Sequence, residues 1–249
     1  MHHSSIFGLY DSDVARVEQF GDKRRLILHR TLRKKGIEVE DKNKSLYKSE
    51  SENIEGEKLD NNISRARSKI FELAYCNTWD YFVTLTINPE KYDRKNLNKY
   101  HKDLTQFFRD YKKKYDSKID FILVPELHKD RSWHMHGLIK GILKEHLQKN
   151  EFGYLDWQHY KKKFGYISID KIKSHEAVSR YITKYITKDM KNNVSELGAH
   201  IYYRSRGLKG KKEIKRGTLT KNVPDWEYIN DYVKIKWLND DEKIEDYIK

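Results

Sequence analysis

The stretch KIDFILVPELHKDRSWHMHGLIKGI, residues 118–142, decides the predicted fold. Its two apolar runs, KIDFILVPEL and SWHMHGLIKGI, have the β-branched and aromatic content of strands. The polar segment HKDR between them is short enough for a tight turn. The stretch therefore predicts an antiparallel hairpin.

The second strand of this hairpin carries two histidines that can reach one ion. His134 and His136 are two residues apart, so their side chains leave the same face of the strand. Glu126 ends the first strand, and the turn would bring its carboxylate beside the imidazoles. Two imidazoles and a carboxylate leave coordination positions open, as in catalytic metal sites. His128 and Asp130 in the turn are rival ligands, and a surface or core role for the histidine pair is the alternative.

Helical and strand patterns alternate on both sides of the hairpin. Before it, ISRARSKIFELAYC and NLNKYHKDLTQFFRDYKKKY have helical periodicity, and YFVTLTI between them is typical of a buried strand. After it, DWQHYKKKF predicts a short helix, YISIDKI a strand, and HEAVSRYITKYITKDM a helix with Ser174 as its N-cap. AHIYYRSRGLKGKKEIKRG predicts a last strand with a basic loop. Helices interleaved with strands and a hairpin indicate an α+β fold.

The remaining segments are less informative. Residues 1–61 predict a variable N-terminal extension, in which the polar run DKNKSLYKSESENIEGEKLDNN is interpreted as a linker. Residues 62–222 predict the main domain, and residues 223–249 a mixed C-terminal tail.

The word YITK is written twice at residues 181–188. On a helix, the repeat places two phenols and two ammonium groups within one sector: Tyr181, Lys184, Tyr185 and Lys188. Val178, Ile182 and Ile186 would form the neighbouring stripe and pack against the sheet. A cation beside a phenol favours the phenolate and attracts phosphate, as a phosphoryl-transfer nucleophile requires. The similar word YKKKY at residues 111–115 lacks an apolar stripe and predicts a solvated basic face.

The composition limits the partners of the chain. The sequence has 51 Lys and Arg against 38 Asp and Glu, a net charge of +13, which suits a polyanion such as nucleic acid. Aromatic residues make up 13% and add surfaces on which bases can stack. The only cysteine, Cys76, excludes an intrachain disulfide. Because no run is long and apolar enough for a membrane span and the first residues lack a signal layout, we expect a cytoplasmic protein without membrane contact.

Three motifs together resemble the HUH endonucleases, specifically the rolling-circle replication initiators of phages and plasmids. YFVTLTINPEKYDR is similar to their first motif, PELHKDRSWHMHGLI to their histidine motif, and YITKYITK to their nucleophile helix. The resemblance covers about residues 62–216. It implies the HUH, RRM-like Rep fold, with a central antiparallel sheet of about five strands and flanking helices. The Tyr181, Lys184, Tyr185 pattern is similar to the two-tyrosine subclass, the gene A protein group of phage initiators.

The resemblance also implies an activity. A tyrosine would cut one DNA strand at a replication origin and form a 5′-phosphotyrosyl link, with Mg²⁺ or Mn²⁺ held by His134, His136 and Glu126. Lys184 and Lys188 would hold phosphate or stabilise developing charge. A basic segment would follow the backbone of single-stranded DNA through Arg204, Arg206, Lys209, Lys211 and Lys212.

Other functions remain open at this stage. A transposase or relaxase also joins tyrosine to a histidine-pair metal site, and a non-catalytic DNA-binding regulator or single-strand binder would share the positive charge. The sequence has no Gly-x-x-x-x-Gly-Lys-Ser/Thr loop, so we expect a separate helicase to unwind the DNA.

Overall fold

The computed structural model of the chain describes residues 7–34, 54–186, 200–220, 222–223, 225–229 and 233–249. These residues fall into two compact units. The terminal unit combines residues from Met1–Glu52 and Gly210–Lys249, and the central unit lies within Asn53–Lys209. This division differs from the predicted boundaries at residues 61/62 and 222/223, because both ends of the chain contribute to one sheet.

The terminal unit is built on a five-stranded antiparallel sheet with the order β10-β1-β2-β12-β11. Its strands are β1 Phe7–Phe20, β2 Lys23–Lys34, β10 Lys212–Thr218, β11 Tyr228–Ile229 and β12 Val233–Leu238. Gly21 has φ 66° in the two-residue turn between β1 and β2, a conformation that glycine adopts without steric cost. The predicted extension and tail are therefore ordered strands in these ranges.

A buried acid stabilises this sheet. Glu18 is 2% exposed and bonds to Arg16, Arg25 and Lys211 at 3.2, 2.9 and 2.8 Å. Burial by itself would raise the pKa of Glu18, but the hydrogen bonds and charges of Lys211 and Arg25 outweigh it and lower the pKa. The side chain of Lys211 is thus engaged inside the terminal unit.

The central unit has a seven-stranded antiparallel sheet with the order β6-β7-β8-β3-β5-β4-β9. Its strands are β3 Tyr81–Thr86, β4 Asp120–Leu127, β5 Trp133–Lys140, β6 Leu147–Lys149, β7 Leu155–Trp157, β8 Ile167–Lys171 and β9 Tyr203–Arg204. Its α-helices are α1 Ile54–Tyr75, α2 Leu97–Tyr115, α3 Gln158–Lys163 and α4 His175–Tyr181. Short 3-10 helices cover Lys144–His146 and Ile182–Tyr185, and a third in the terminal unit covers Ile244–Asp246.

The predicted α+β class is confirmed, with two differences in detail. The described residues form two sheets, of five and seven strands, where one sheet of about five was expected. The segment predicted as a last strand with a basic loop supplies β9 to one sheet and β10 to the other.

The core of the central unit explains why its elements form where they do. On α1 the periodic apolar side chains are buried as predicted: Ile63, Ala66, Ile70, Leu73 and Ala74. The helix begins inside the segment predicted as a linker, because Glu, Lys and Leu in its first turns are good helix formers. Along β3, buried Val83 and Leu85 alternate with half-buried Thr84 and Thr86, so one face meets the core and the other remains accessible.

Candidate active site

The predicted hairpin of β4 and β5 is confirmed, and its register sets the site. Glu126 lies directly opposite His134, and on the other side of β5 the residues opposite His134 and His136 are Thr86 and Thr84 of β3. Directly opposite residues share a face of the sheet. The two histidines, the glutamate and the two threonines therefore lie on one face.

Each histidine is held through the same ring atom. His136 Nδ1 lies 3.1 Å from Thr84 Oγ1, and His134 Nδ1 lies 3.2 Å from Thr86 Oγ1. A hydroxyl can donate to or accept from a ring nitrogen, so each bond fixes the ring orientation and leaves Nε2 for another partner. The threonines were not predicted as site residues, although Thr-Leu-Thr has the same two-residue spacing as His-Met-His.

Glu126 meets His136 directly. Its Oε2 accepts a hydrogen bond from His136 Nε2 at 2.6 Å, and His128 Nε2 lies 3.7 Å from the same oxygen. The His128 ring stacks on the His134 ring with centroids 3.7 Å apart. The other rival ligand, Asp130, instead accepts hydrogen bonds from the Ser132 backbone and hydroxyl.

Both histidines are in the form that binds metals. Burial lowers the pKa of His134 to about 4, and the charges of His128 and His136 lower it further. Burial also lowers the pKa of His136, although the hydrogen bond with Glu126 acts in the opposite direction. Neutral imidazoles can donate a lone pair to a divalent ion.

No metal cluster is preformed in the part of the chain that the structure describes: no three His, Cys, Asp or Glu side chains there are arranged to hold an ion. Glu126 bonds to the Nε2 atom that an ion would need. The donor chemistry of His134, His136 and Glu126 nevertheless fits a divalent cation, since both imidazoles are held at Nδ1 and a carboxylate is adjacent. The metal set therefore stays a prediction.

The tyrosine segment begins with the predicted cap. The Ser174 side chain accepts a hydrogen bond from the Ala177 backbone at 3.2 Å. The α-helix ends at Tyr181 and continues as a 3-10 helix, so the repeat is not one continuous α-helix. Ile182 and Ile186 are fully buried. Lys188 lies outside the described residues.

The two phenols of this segment meet each other beside the histidines. The Tyr181 and Tyr185 hydroxyls are 3.0 Å apart, and the Tyr185 ring stacks on the His136 ring with centroids 4.0 Å apart and planes 10° apart. Lys184 Nζ lies 3.6 Å from the centre of the Tyr181 ring and 5.0 Å from that of Tyr185. Phe82 of β3 lies at 5.2 and 6.0 Å from the two tyrosine rings. The structure thus brings the tyrosine pair, Lys184 and the histidine hairpin together.

The two tyrosines differ in acidity. A hydrogen bond from Lys184, followed by one from Tyr185, lowers the pKa of Tyr181, whose side chain is 43% exposed. Burial raises the pKa of Tyr185, and its hydrogen bond with Tyr181 raises it further. Tyr181 is therefore the phenol that ionises more readily, and Tyr185 is the one in contact with His136.

The second tyrosine word, YKKKY, does not form the solvated face that its pattern predicts. Tyr111 is 3% exposed, and its hydroxyl bonds to His146 Nδ1 at 2.6 Å. Tyr115 is half-buried and bonds to His159 Nε2 at 2.8 Å. Helix α2 thus buries these rings against neighbouring histidines, which the local sequence did not indicate because both histidines are more than thirty positions away.

The predicted DNA-binding residues are divided between the two units. Arg204, in β9, and Arg206, in the following turn, are exposed in the central unit, where the Lys209 backbone N–H donates to Asn77 Oδ1 at 2.9 Å. Lys211 and Lys212 belong to the terminal unit, and Lys211 is bonded to Glu18. Tyr166 was not predicted: it is 61% exposed, and its carbonyl accepts from the Thr86 backbone N–H at 2.9 Å, so an exposed ring lies next to the site strand.

Fold and site together define an α+β protein in which an antiparallel sheet presents a histidine pair to two hydrogen-bonded tyrosines. Residues 80–190, less than half of the chain, match the model of a protein family described as Replication-associated protein ORF2. The matched range contains the hairpin and both tyrosines, and this similarity supports a replication-associated protein of the Rep type. No curated protein and no solved structure matches the chain. Among the described helices, none has the length and apolar content to cross a membrane.

Proposed function

We propose that this chain is a replication initiator that nicks and rejoins single-stranded DNA at a rolling-circle origin through a 5′-phosphotyrosyl intermediate. The observation that carries the proposal is the meeting of three groups: two hydroxyls 3.0 Å apart, the Lys184 ammonium beside both rings, and His136 in ring contact with Tyr185. A nucleophile, a cation for the phosphate and a metal-ligating side chain are what such a transfer requires.

Tyr181 is the proposed nucleophile of the first cut. Its hydroxyl is exposed to a DNA strand, and Lys184 favours its ionised form. Attack of the phenolate oxygen on the phosphorus forms the P–O bond to tyrosine and breaks the P–O3′ bond, and the released 3′ oxygen takes a proton. Lys184 then remains close enough to the phosphate to offset its charge.

Tyr185 is the proposed nucleophile of the second cut. After the first cut Tyr181 would carry the 5′ end of the DNA, and closing a replicated circle requires another nucleophile. The hydroxyl of Tyr185 lies next to that of Tyr181, so it can address a phosphate in the same place after a small shift. Its raised pKa means that it must lose its proton to a neighbouring group, and Tyr181 is its hydrogen-bond partner.

A divalent ion, Mg²⁺ or Mn²⁺, would be held by His134, His136 and Glu126 and would supply Lewis-acid polarisation of the scissile phosphate. Thr84 and Thr86 would orient the two imidazoles toward it. Binding would require Glu126 to exchange its bond to His136 for the ion, a small movement for a side chain that is 40% exposed.

The partners follow from the same reaction. Single-stranded DNA is the substrate, the exposed cations Arg204 and Arg206 would contact its backbone, and a separate helicase would open the duplex. The cytoplasm is the compartment in which such a protein would work. A transposase or relaxase activity and a non-catalytic DNA-binding regulator are the alternatives.

A denaturing gel tests the proposal. The full chain is incubated with end-labelled single-stranded segments of its own replicon, with Mn²⁺ or with excess chelator. We expect a labelled band at the mass of protein plus DNA in Mn²⁺, and none with chelator. The matched control is Tyr154→Phe, which removes an exposed hydroxyl elsewhere on the central unit and should leave the band unchanged. Binding of DNA without any covalent band would favour the regulator.

A further inference from the structure

The central unit has an open groove of about 650 Å³ between α1, α2 and residues 200–204. Three cationic side chains line it, Arg65, Lys69 and Arg204, and no Asp or Glu is among its lining residues. A concave surface with cations of one sign and no lining acid attracts anions. The groove therefore suits a phosphate-bearing ligand.

Two of these cations are available to a ligand. Arg65 and Arg204 are exposed, and within the described ranges neither forms an ion pair with a carboxylate. Lys69 is shared with Glu72, three positions further along the same helix. Because Arg65 and Lys69 are four positions apart, they project from one side of α1. Arg204 faces them from the edge strand β9.

Aromatic rings lie between the cations. The rings of His101 and Tyr203 stack with centroids 3.7 Å apart and planes 19° apart, and Tyr203 is 5% exposed, so this pair forms a rigid part of the lining. Tyr202, half-buried, adds a third ring. Guanidinium groups beside aromatic rings match the alternation of phosphate and base along a single DNA strand.

The groove lies on another side of α1 than the tyrosine segment. Arg67 donates from its Nε to the Ile186 carbonyl at 2.8 Å, at the end of that segment. Arg65 is two residues before Arg67, and residues two apart on an α-helix point about 200° apart. One helix therefore holds the end of the candidate nucleophile segment with one side and lines the groove with another.

We propose that this groove binds the sugar-phosphate backbone of single-stranded DNA at a position outside the nucleotides held at the tyrosines. The inference rests on the proposed function, because it treats DNA as the ligand. Arg65 and Arg204 contact phosphates, and the ring of Tyr202 contacts a base. A strand bound at both places is held on two sides of α1, which anchors the DNA independently of the cut.

The test compares Arg65→Gln/Arg204→Gln with Arg109→Gln/Lys113→Gln in the full chain. The second pair removes the same charge from exposed positions of α2 outside the groove. Affinity is measured by fluorescence anisotropy against salt, with a short oligonucleotide that covers only the cleaved nucleotides and a long one that extends to both sides. For the long oligonucleotide, the groove variant should lose about 1.4 from the log–log salt slope, about 0.7 for each of two phosphates.

The control pair should retain the wild-type slope, and the groove variant should bind and nick the short oligonucleotide as wild type does. An unchanged slope with the long oligonucleotide, or an equal loss in both variants, overturns the groove. Displacement of the long oligonucleotide by a mononucleotide or inorganic phosphate alone, at concentrations that do not alter binding of the short one, would make it a small-ligand site and also overturn the proposal. If wild type forms no covalent adduct but the groove variant still loses the slope, the nicking proposal fails and the groove stands.

Discussion

Lys184→Gln should slow the first cut and move its pH dependence. Lys184 Nζ lies 3.6 Å from the Tyr181 ring centre, and its hydrogen bond is the largest cause of the lowered pKa of Tyr181. Glutamine retains the approximate length and polarity of the side chain and removes the charge. Without the ammonium the pKa of Tyr181 rises, so a smaller fraction of Tyr181 is ionised at neutral pH.

The size of the effect follows from distance and exposure. Two unit charges about 4 Å apart interact by about 1 kcal/mol in water and about 4 kcal/mol near a protein surface. Because Tyr181 is 43% exposed, solvent screening favours the lower value. A loss of about 1 kcal/mol of stabilisation slows adduct formation about fivefold.

Single-turnover adduct formation, measured from about pH 6 to pH 10 by quenched denaturing gels, is the assay. A phenol with a lowered pKa contributes its reactive form from a lower pH upward, so the rising part of the profile should move to higher pH in the variant. Lys173→Gln, which removes an exposed charge just before α4, is the control and should retain the wild-type profile. A Lys184→Gln profile that overlies wild type at every pH would refute the reasoning.

Three further outcomes are expected. His136→Ala should abolish adduct formation in Mn²⁺ while circular dichroism remains that of wild type, and undiminished cleavage would contradict the assignment of a metal ligand. Thr86→Val removes the hydroxyl 3.2 Å from His134 Nδ1 and should raise the Mn²⁺ concentration needed for half-maximal cleavage about 10- to 100-fold; an unchanged requirement would contradict a positioning role. Gly137→Ala would place a Cβ 2.1 Å from the Ile122 carbonyl oxygen, so unfolding should become about 1–3 kcal/mol easier, and a wild-type Tm would contradict the close approach of β4 and β5.

The local features of the site could be predicted from the sequence because they depend on short-range periodicity. A two-residue spacing placed His134 and His136 on one face, and a short turn placed Glu126 beside them. Ser174 could be recognised as a cap because N-cap preferences depend on the backbone of the next three residues.

Contacts between distant segments could not be predicted in the same way. The pairing of Arg24 with Leu238 joins strands more than two hundred residues apart, and no window of sequence contains both. The hairpin of β1 and β2 did have a local signal, Gly21 and Asp22 between alternating apolar residues, but its dense charge masked the alternation. The stacking of Tyr185 on His136 depends on how the tyrosine segment packs on the sheet, which the helical pattern alone does not determine.

The central claim is that the tyrosines of the repeat are the nucleophiles. The most direct measurement is covalent adduct formation by Tyr181→Phe, Tyr185→Phe and the double variant, with the attached residue identified by mass spectrometry of the digested adduct. We expect each single variant to retain some adduct, attached to the remaining tyrosine, with the larger loss in Tyr181→Phe because its pKa is the lowered one. The double variant should form none. An adduct in the double variant equal to that of wild type would contradict the account.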